Sequence, residues 1–293
     1  MCSILGIFEL ADDPGSVRRL ALELSRRQRH RGPDWSGVYA DERAVLAHER
    51  LAIVDVEGGA QPILSADGSL ALAVNGEIYN HRELEAALVL PYDFQTGSDC
   101  EVINALWRQE GAAFLGRLNG VFAFALWDRA AGRYLVARDP IGVCPLYLGR
   151  DERGQLYLAS EMKALSGVCR TIEPFPPGCY LDSAVGEPVR YFAPAWRDHA
   201  ATRGVAADPA ELRRALEAAV HRQLMTDVPY GVLLSGGLDS SLGRRLRRRF
   251  RRAPGRERRP RAPSRKGSTR SPTSSSTSRP TTSPPSALRL RCT

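Results

Sequence analysis

Cysteine follows the initiator methionine directly, so removal of Met1 would make Cys2 the first residue of the chain. Cys2 would then carry both a thiol and a free α-amino group. The amine titrates near ~8 and is partly unprotonated at neutral pH, so it can take the proton of a thiol that titrates near ~8.5. This pairing predicts a nucleophile that its own backbone amine activates. The mostly apolar residues 4–8 predict a buried strand that fixes the amine in place.

Three residues beyond Cys2 could act on the same substrate. Asn75 and Gly76 follow a predicted strand, and an asparagine side chain with a glycine N–H can donate to a developing oxyanion. The alternative is a plain Asn-Gly turn. Arg50 could bind a carboxylate through two parallel hydrogen bonds, or it could be a surface arginine paired with Glu49 or Asp55.

Two acidic residues, Glu77 and Asp99, could hold a substrate ammonium group. For Asp99 the alternative is a helix-terminal role, because an acid is favourable in the first turn of the helix predicted over residues 99–110. The groups together describe a pocket for a free amino acid whose side chain is attacked. An amide side chain would make that amino acid glutamine or asparagine, and residue types alone leave both open.

Charge divides the 293-residue chain in two. Residues 242–293 contain 17 Lys/Arg and one acid, whereas residues 1–241 contain 24 basic and 32 acidic residues. The basic segment is rich in arginine, serine and proline and has one aromatic residue, so it cannot bury enough apolar area to offset chain entropy. We predict that it is disordered.

The six cysteines and the histidines show no spacing typical of metal ligands, so no metal site is predicted. The cysteines are read as reduced thiols, and His30, His48 and His81 as structural residues. No signal-peptide pattern and no run of 18 apolar residues is present. We therefore expect a cytoplasmic protein without a membrane span.

Many short predicted strands with helices segregated around them favour an α+β fold of two stacked sheets covered by helices. Residues 121–127 are apolar on both faces and predict a strand between two layers. The first helix is expected to begin at a Ser16 cap. Composition shifts at residues 174–177 and 194–207 predict linkers.

Beyond the second linker, Asp208 is predicted to cap a helix. Residues 231–234 predict a buried strand, and residues 235–241 a glycine turn. A strand, a glycine turn and a helix N-terminus can bind phosphate through backbone N–H groups, although a generic turn is the alternative. The helix expected after the turn is predicted to fail where arginines begin at residue 244.

Seven stretches resemble the class II glutamine amidotransferases, which use an N-terminal nucleophile: residues 1–4, 29–37, 48–55, 75–81, 97–101, 138–147 and 160–165. Residues 228–241, with the run Ser-Gly-Gly-Leu-Asp-Ser-Ser, are similar to the ATP-pyrophosphatase loop of asparagine synthetases. In this order they resemble the bacterial B-type asparagine synthetase family over residues 1–241. Ser3 stands where many relatives have glycine.

This resemblance implies a fold for each part of the chain. Residues 1–195 would form a four-layer αββα sandwich of the N-terminal nucleophile hydrolase type. Residues 208–241 would form the first βα unit of an α/β ATP-pyrophosphatase domain, and residues 242–293 a disordered basic tail.

The resemblance also implies residue roles. Cys2 would be the nucleophile, with Asn75 and Gly76 as the oxyanion hole. Seven residues would bind glutamine: Arg50, Ile53, Val54, Asn75, Gly76, Glu77 and Asp99. Six residues would belong to the ATP site: Leu233, Ser235, Gly236, Gly237, Asp239 and Ser240.

The implied reaction is glutamine-dependent asparagine synthesis. Ammonia freed from glutamine would pass to a β-aspartyl-AMP made from aspartate and Mg²⁺-ATP, while the glutaminase step would need no cofactor. The expected partners are glutamine, aspartate and ATP, and a second copy of the chain in a homodimer, but no membrane and no specific nucleic acid.

After Ser241 the family continues with an apolar helix, whereas this chain continues into arginine-rich sequence. We expect a truncated or frameshifted gene product that lacks aspartate activation. A glutaminase-only fragment and a non-catalytic remnant are alternatives, as is a glutaminase domain of a sugar or purine amidotransferase. A further alternative is nucleic-acid binding by the tail, which would weaken steeply with salt.

Overall fold

The computed structural model describes residues 1–204 and 206–250. The predicted disorder of the basic tail beyond residue 250, and Cys292 within it, lie outside these residues, as does Val205 in the second predicted linker.

Twelve strands form in the described part of the chain: β1 (Ser3–Phe8), β2 (Trp35–Ala40), β3 (Ala44–Arg50), β4 (Ile63–Leu64), β5 (Leu70–Ile78), β6 (Gly120–Asp128), β7 (Arg133–Arg138), β8 (Tyr147–Arg150), β9 (Leu156–Ala159), β10 (Thr171–Pro174), β11 (Cys179–Asp182) and β12 (Pro188–Arg190). They pair in two six-stranded antiparallel sheets. Sheet I has the order β10-β8-β9-β1-β3-β2, and sheet II has the order β12-β11-β7-β6-β5-β4. The predicted α+β class with two antiparallel sheets is confirmed.

Seven helices form in the described part of the chain: α1 (Pro14–Arg26), α2 (His81–Ala86), α3 (Val102–Glu110), α4 (Met162–Leu165), α5 (His199–Thr202), α6 (Pro209–Arg222) and α7 (Leu238–Phe250). Short 3-10 turns include Asp99–Glu101, which leads into α3. The predicted cap of α1 at Ser16 is wrong. Asp13 caps this helix by accepting the Ser16 N–H, because Pro14 can occupy the first helical turn and the helix therefore begins earlier.

Three apolar cores show the order of the layers. Alternation along β1 sends Leu5 outward against α1 and Ile4 inward toward the other sheet. Along β5, Ala73 faces the space between the sheets, while Val74 packs outward with Ile103 of α3. From one side to the other, the layers are α1, sheet I, sheet II and then α2 with α3. β6 is buried on both faces, as predicted.

The strand predicted over residues 231–234 is wrong. These residues form no strand, and the Leu233 side chain is 95% exposed. A central parallel strand needs neighbours on both edges, and the described residues offer it none. The helix predicted after Asp208 does form as α6, with the Asp208 carboxylate accepting the Ala210 N–H, but its apolar residues Leu212 and Leu216 are 70% and 41% exposed.

The expectation that disorder begins at residue 242 is also wrong, because α7 continues to Phe250. Leu246 is buried, and α6 and α7 lie against one another. The Arg247 guanidinium lies 4.2 Å from the centroid of the Tyr230 ring and donates a hydrogen bond to the backbone carbonyl oxygen of Tyr230. Arginine and leucine are good helix formers, and one buried leucine with one stacked arginine anchors this helix where the sequence shows no sustained apolar stripe.

Candidate functional site

A cavity of about 240 Å³ opens where the start of β1, the end of β3, the end of β5 and the Asp99–Glu101 turn meet. Its volume lies below the ~300–1,000 Å³ of drug-sized ligand sites and suits one small metabolite. Sixteen residues line it: Met1, Cys2, Arg50, Leu51, Ile53, Val54, Gly59, Gln61, Asn75, Gly76, Glu77, Tyr79, Ser98, Asp99, Cys100 and Val121. The structure thus brings together Cys2 and all seven residues predicted for glutamine.

Cys2 lies directly before β1, and its thiol contacts Leu51, the residue after β3. The Leu51 N–H points at Cys2 Sγ at 3.3 Å, and Sγ is 3.5 Å from the Leu51 carbonyl oxygen. Burial raises the pKa of the thiol above its ordinary value, and the Leu51 N–H, the N-terminal charge and Arg50 offset this only in part. With Met1 still attached, burial therefore favours the neutral thiol, and a neutral thiol needs a base to become a nucleophile.

Asn75 carries an amide group without a partner. Its side chain is fully buried, and within the described chain neither Nδ2 nor Oδ1 has a hydrogen-bond partner. Buried amides are rarely left unpaired, because each unpaired group costs about 1–3 kcal/mol. In a cavity shared with a thiol, such a group is placed to donate to a ligand atom.

Gly76 stands beside Asn75 in the β5–β6 pair, opposite Phe122. A Cβ at this position would come within 2.1 Å of the Val121 carbonyl oxygen, so no side chain fits here. The plain Asn-Gly turn is wrong, because both residues belong to the continuous strand β5. The reason for glycine is the close approach of two backbones.

Arg50 ends β3 and is 7% exposed. Its guanidinium donates to the carbonyl oxygens of Val54, Asp55 and Val56 at 3.0, 2.6 and 3.1 Å. The alternative of a surface arginine paired with Glu49 or Asp55 is wrong, because the group is buried and bound to backbone oxygens. It leaves a fixed positive charge on the cavity wall.

Two carboxyl groups, from Glu77 and Asp99, line the same cavity. Burial, with Asp99 as a second cause, raises the pKa of Glu77 to about 7. Burial also raises the pKa of Asp99, although its Oδ2 accepts the Ile78 N–H at 2.6 Å. Glu77 and Asp99 are close enough to raise the pKa of Glu77, and an ammonium bound between them would favour their charged forms.

His48 connects the two sheets next to this site. Its Nε2 lies 2.9 Å from the carbonyl oxygen of Val74, the residue before Asn75, and burial lowers its pKa to about 4. The ring is therefore neutral and structural. In the part of the chain that the structure covers, no group of three or more His, Cys, Asp or Glu residues is placed to hold a metal ion. Over the same residues, no helix has the length and apolar content to span a membrane.

Sequence reasoning missed several wall residues. Cys100 directly follows Asp99, and Tyr79 lies two residues after Glu77, so their positions could have been found from these neighbours. Leu51 contributes through its backbone and Gln61 through a loop after β3, and neither carries a sequence signal.

The six residues predicted for ATP lie on and after an exposed loop that does not line the cavity. Gly236 has a φ of +85°, and α7 begins two residues later. The Ser235 hydroxyl donates to Ser240 Oγ at 3.0 Å, and the Ser240 hydroxyl lies 3.1 Å from the Gly237 carbonyl oxygen.

Known protein families match both parts of the chain. The glutamine amidotransferase domain matches residues 1–181, and the asparagine synthase family matches residues 211–254. Asparagine synthetase B [glutamine-hydrolyzing] of Escherichia coli is 58% identical over 242 residues, covering 83% of this chain and 44% of the relative. A probable glutamine-hydrolysing asparagine synthetase of Schizosaccharomyces pombe is 51% identical over 244 residues, with the same shares. The chain spans less than half the length of these curated relatives.

Solved structures share the fold of the N-terminal part. Glutamine phosphoribosylpyrophosphate amidotransferase from B. subtilis superposes with a TM-score of 0.55 at 24% identity, covering 65% of this chain and 49% of that one. At this identity the likeness concerns the fold alone. The two relatives show a likeness to glutamine-hydrolysing asparagine synthetases, and the domain match over residues 1–181 carries the assignment: the chain belongs to the glutamine amidotransferase family.

Proposed function

We propose that this chain hydrolyses glutamine to glutamate and ammonia at Cys2. The observation that carries this proposal is the unpaired, fully buried Asn75 amide in the same cavity as the Cys2 thiol. A thiol and a ready hydrogen-bond donor are what attack on a carboxamide requires.

The charges of the cavity support a free amino acid as substrate. Arg50 would bind the α-carboxylate and Glu77 with Asp99 the α-ammonium, with Ile53 and Val54 as the pocket wall. These groups fix the head of the substrate, so its side-chain amide reaches toward Cys2. The named activity of the relatives favours glutamine over asparagine.

The chemistry needs removal of Met1, which is 52% exposed and so open to processing. The Cys2 amine takes the thiol proton as sulfur attacks the amide carbon, and the Asn75 side chain and the Gly76 N–H bind the oxyanion. Collapse breaks the C–N bond, and the amine returns the proton to the leaving ammonia. Water then attacks the thioester by the same route, which releases glutamate and restores the thiol.

For the second stretch we propose phosphate binding by residues 233–240. A positive-φ glycine at a helix N-terminus leaves backbone N–H groups free for an anion, and this fits the phosphates of ATP. Bound Mg²⁺-ATP would supply the activation of a carboxylate. The names of the relatives favour asparagine formation as the use of this ammonia, with aspartate as the acceptor, in a cytoplasmic and homodimeric enzyme. The expectation that this chain itself lacks aspartate activation stays a prediction.

The proposal is tested by ammonia release from glutamine with wild-type protein, Cys2→Ala and Cys169→Ala. Cys169 lies outside the cavity and is the matched control. Loss of activity in Cys2→Ala alone supports the proposal. Activity that survives Cys2→Ala, or that is absent from folded, Met1-free wild-type protein, refutes it.

A further inference from the structure

The stretch after α6 is hydrogen-bonded to the glutamine cavity through one residue, Asp227. The Asp227 N–H donates to the Ile53 carbonyl oxygen at 2.9 Å. The Asp227 carboxylate accepts the Asp55 N–H at 2.8 Å. Asp227 belongs to the stretch that matches the asparagine synthase family, whereas Ile53 belongs to the amidotransferase domain. Two parts of the chain with different predicted chemistry are therefore joined at a wall of the cavity.

Residues 53–56, here called the Asp55 turn, are held in an uncommon conformation. Asp55 has a φ of +49°, a region that residues with a side chain rarely adopt without support. Its carboxylate accepts the N–H groups of Gly58 and Gly97 at 3.2 and 2.8 Å, and its carbonyl oxygen accepts the Gly59 N–H. The Asp55 N–H is the remaining backbone group, and Asp227 accepts it.

The Asp55 turn sets the position of the Arg50 side chain. Its consecutive carbonyl oxygens, from Val54, Asp55 and Val56, accept the guanidinium hydrogens. A shift of this turn would move the guanidinium that faces the cavity. A continuous set of contacts therefore runs from Asp227 through Asp55 to Arg50.

We propose that Asp227 is a positioning residue for the amidotransferase site: from outside that domain, it holds the Asp55 turn so that Arg50 is aligned to bind the substrate α-carboxylate. The inference rests on the proposed glutaminase function. It assigns to the asparagine-synthase stretch a part in glutamine binding that does not depend on ATP. Asp227 is exposed and acts only through the turn, so its loss should weaken substrate binding and leave the chemical step intact.

Steady-state glutamine hydrolysis tests this with Asp227→Ala, Asp227→Asn and Glu211→Ala, an exposed acid on α6 that does not reach the turn. For Asp227→Ala we expect a KM about 3- to 10-fold higher, the range for one lost hydrogen bond, with kcat within about twofold. Asp227→Asn keeps an oxygen acceptor and should restore most of the KM. Glu211→Ala should match wild type. An Asp227→Ala enzyme with unchanged KM, or with a loss confined to kcat, overturns the inference.

Two further measurements separate a positioning role from general destabilisation. In an Arg50→Lys background, Asp227→Ala should raise KM by no more than about twofold, because the group it aligns is already altered. Amide hydrogen exchange, which needs no activity, should show the Asp55 N–H losing protection in Asp227→Ala while β6 is unchanged. Full additivity with Arg50→Lys, or an unchanged Asp55 amide, contradicts the inference even if the glutaminase proposal holds. If the protein does not hydrolyse glutamine, the exchange measurement still tests whether Asp227 holds the Asp55 turn, because it needs no activity.

Discussion

Replacement of Asn75 by leucine separates catalysis from stability. Leucine has nearly the shape of asparagine but no amide, and the Asn75 amide is fully buried with neither of its polar atoms bonded to the described protein. Removing an unpaired buried amide relieves about 1–3 kcal/mol of desolvation cost. Removing one oxyanion donor lowers kcat by about 10²- to 10³-fold. We therefore expect Asn75→Leu to be more stable than wild type and much less active.

The assay pairs urea unfolding with glutamate release from the same preparations. Stability should rise at an unchanged m-value, so that the gain is not a change in the unfolded chain. KM should change little, because the oxyanion forms only in the transition state. Asn104→Leu is the activity control, because Asn104 is a buried asparagine on α3 that does not line the cavity. The kcat of this variant should stay within about twofold of the wild-type value.

An Asn75→Leu variant that keeps the wild-type kcat would contradict a role for Asn75 in binding the oxyanion. A variant that loses stability and activity in parallel would contradict it as well, because Asn75 would then be a structural residue. In either case the unpaired amide would need another explanation than a bound oxyanion.

Other perturbations test the remaining groups of the cavity. Burial raises the pKa of Glu77 to about 7, so its carboxyl becomes neutral below that pH and should attract an ammonium less. The KM for glutamine should therefore rise as the pH falls from about 8 to 6. Glu77→Gln should flatten this pH profile. The same raised pKa means that the folded state holds the Glu77 proton more tightly than the unfolded state, so its contribution to stability falls as pH rises from about 4.3 to 7 and Glu77→Gln should remove that slope in urea unfolding. A slope unchanged by the substitution would contradict the assignment. Gly76→Ala would bring a Cβ to 2.1 Å from the Val121 carbonyl oxygen and should unfold the β5–β6 pair or abolish activity, whereas Gly116→Ala, with nothing within 4 Å, should do neither. Circular dichroism and glutamate release distinguish these outcomes.

The sequence allowed much of the amidotransferase domain to be predicted, because its signals are local. Cys2 after Met1 indicates the proposed nucleophile, and the mostly apolar residues 4–8 indicate the strand that follows it. The strand over residues 121–127 is apolar on both faces because it lies between α3 and sheet I.

Other features depend on contacts that no local pattern contains. The strand predicted over residues 231–234 is apolar enough to be buried, but burial requires neighbouring strands. The contact between Asp227 and Asp55 joins residues 172 positions apart, and a single exposed acid carries no signal for it. The cap of α1 at Asp13 was missed because Ser16 is an equally good capping residue by type.

The proposal that the terminal amine activates its own thiol is tested most directly by measuring glutaminase activity against the fraction of chains that have lost Met1. Intact-mass spectrometry gives that fraction in preparations made with and without a methionine aminopeptidase. Activity should rise in proportion to the Met1-free fraction and extrapolate to zero for fully retained Met1. Full activity in protein that keeps Met1 would contradict the account.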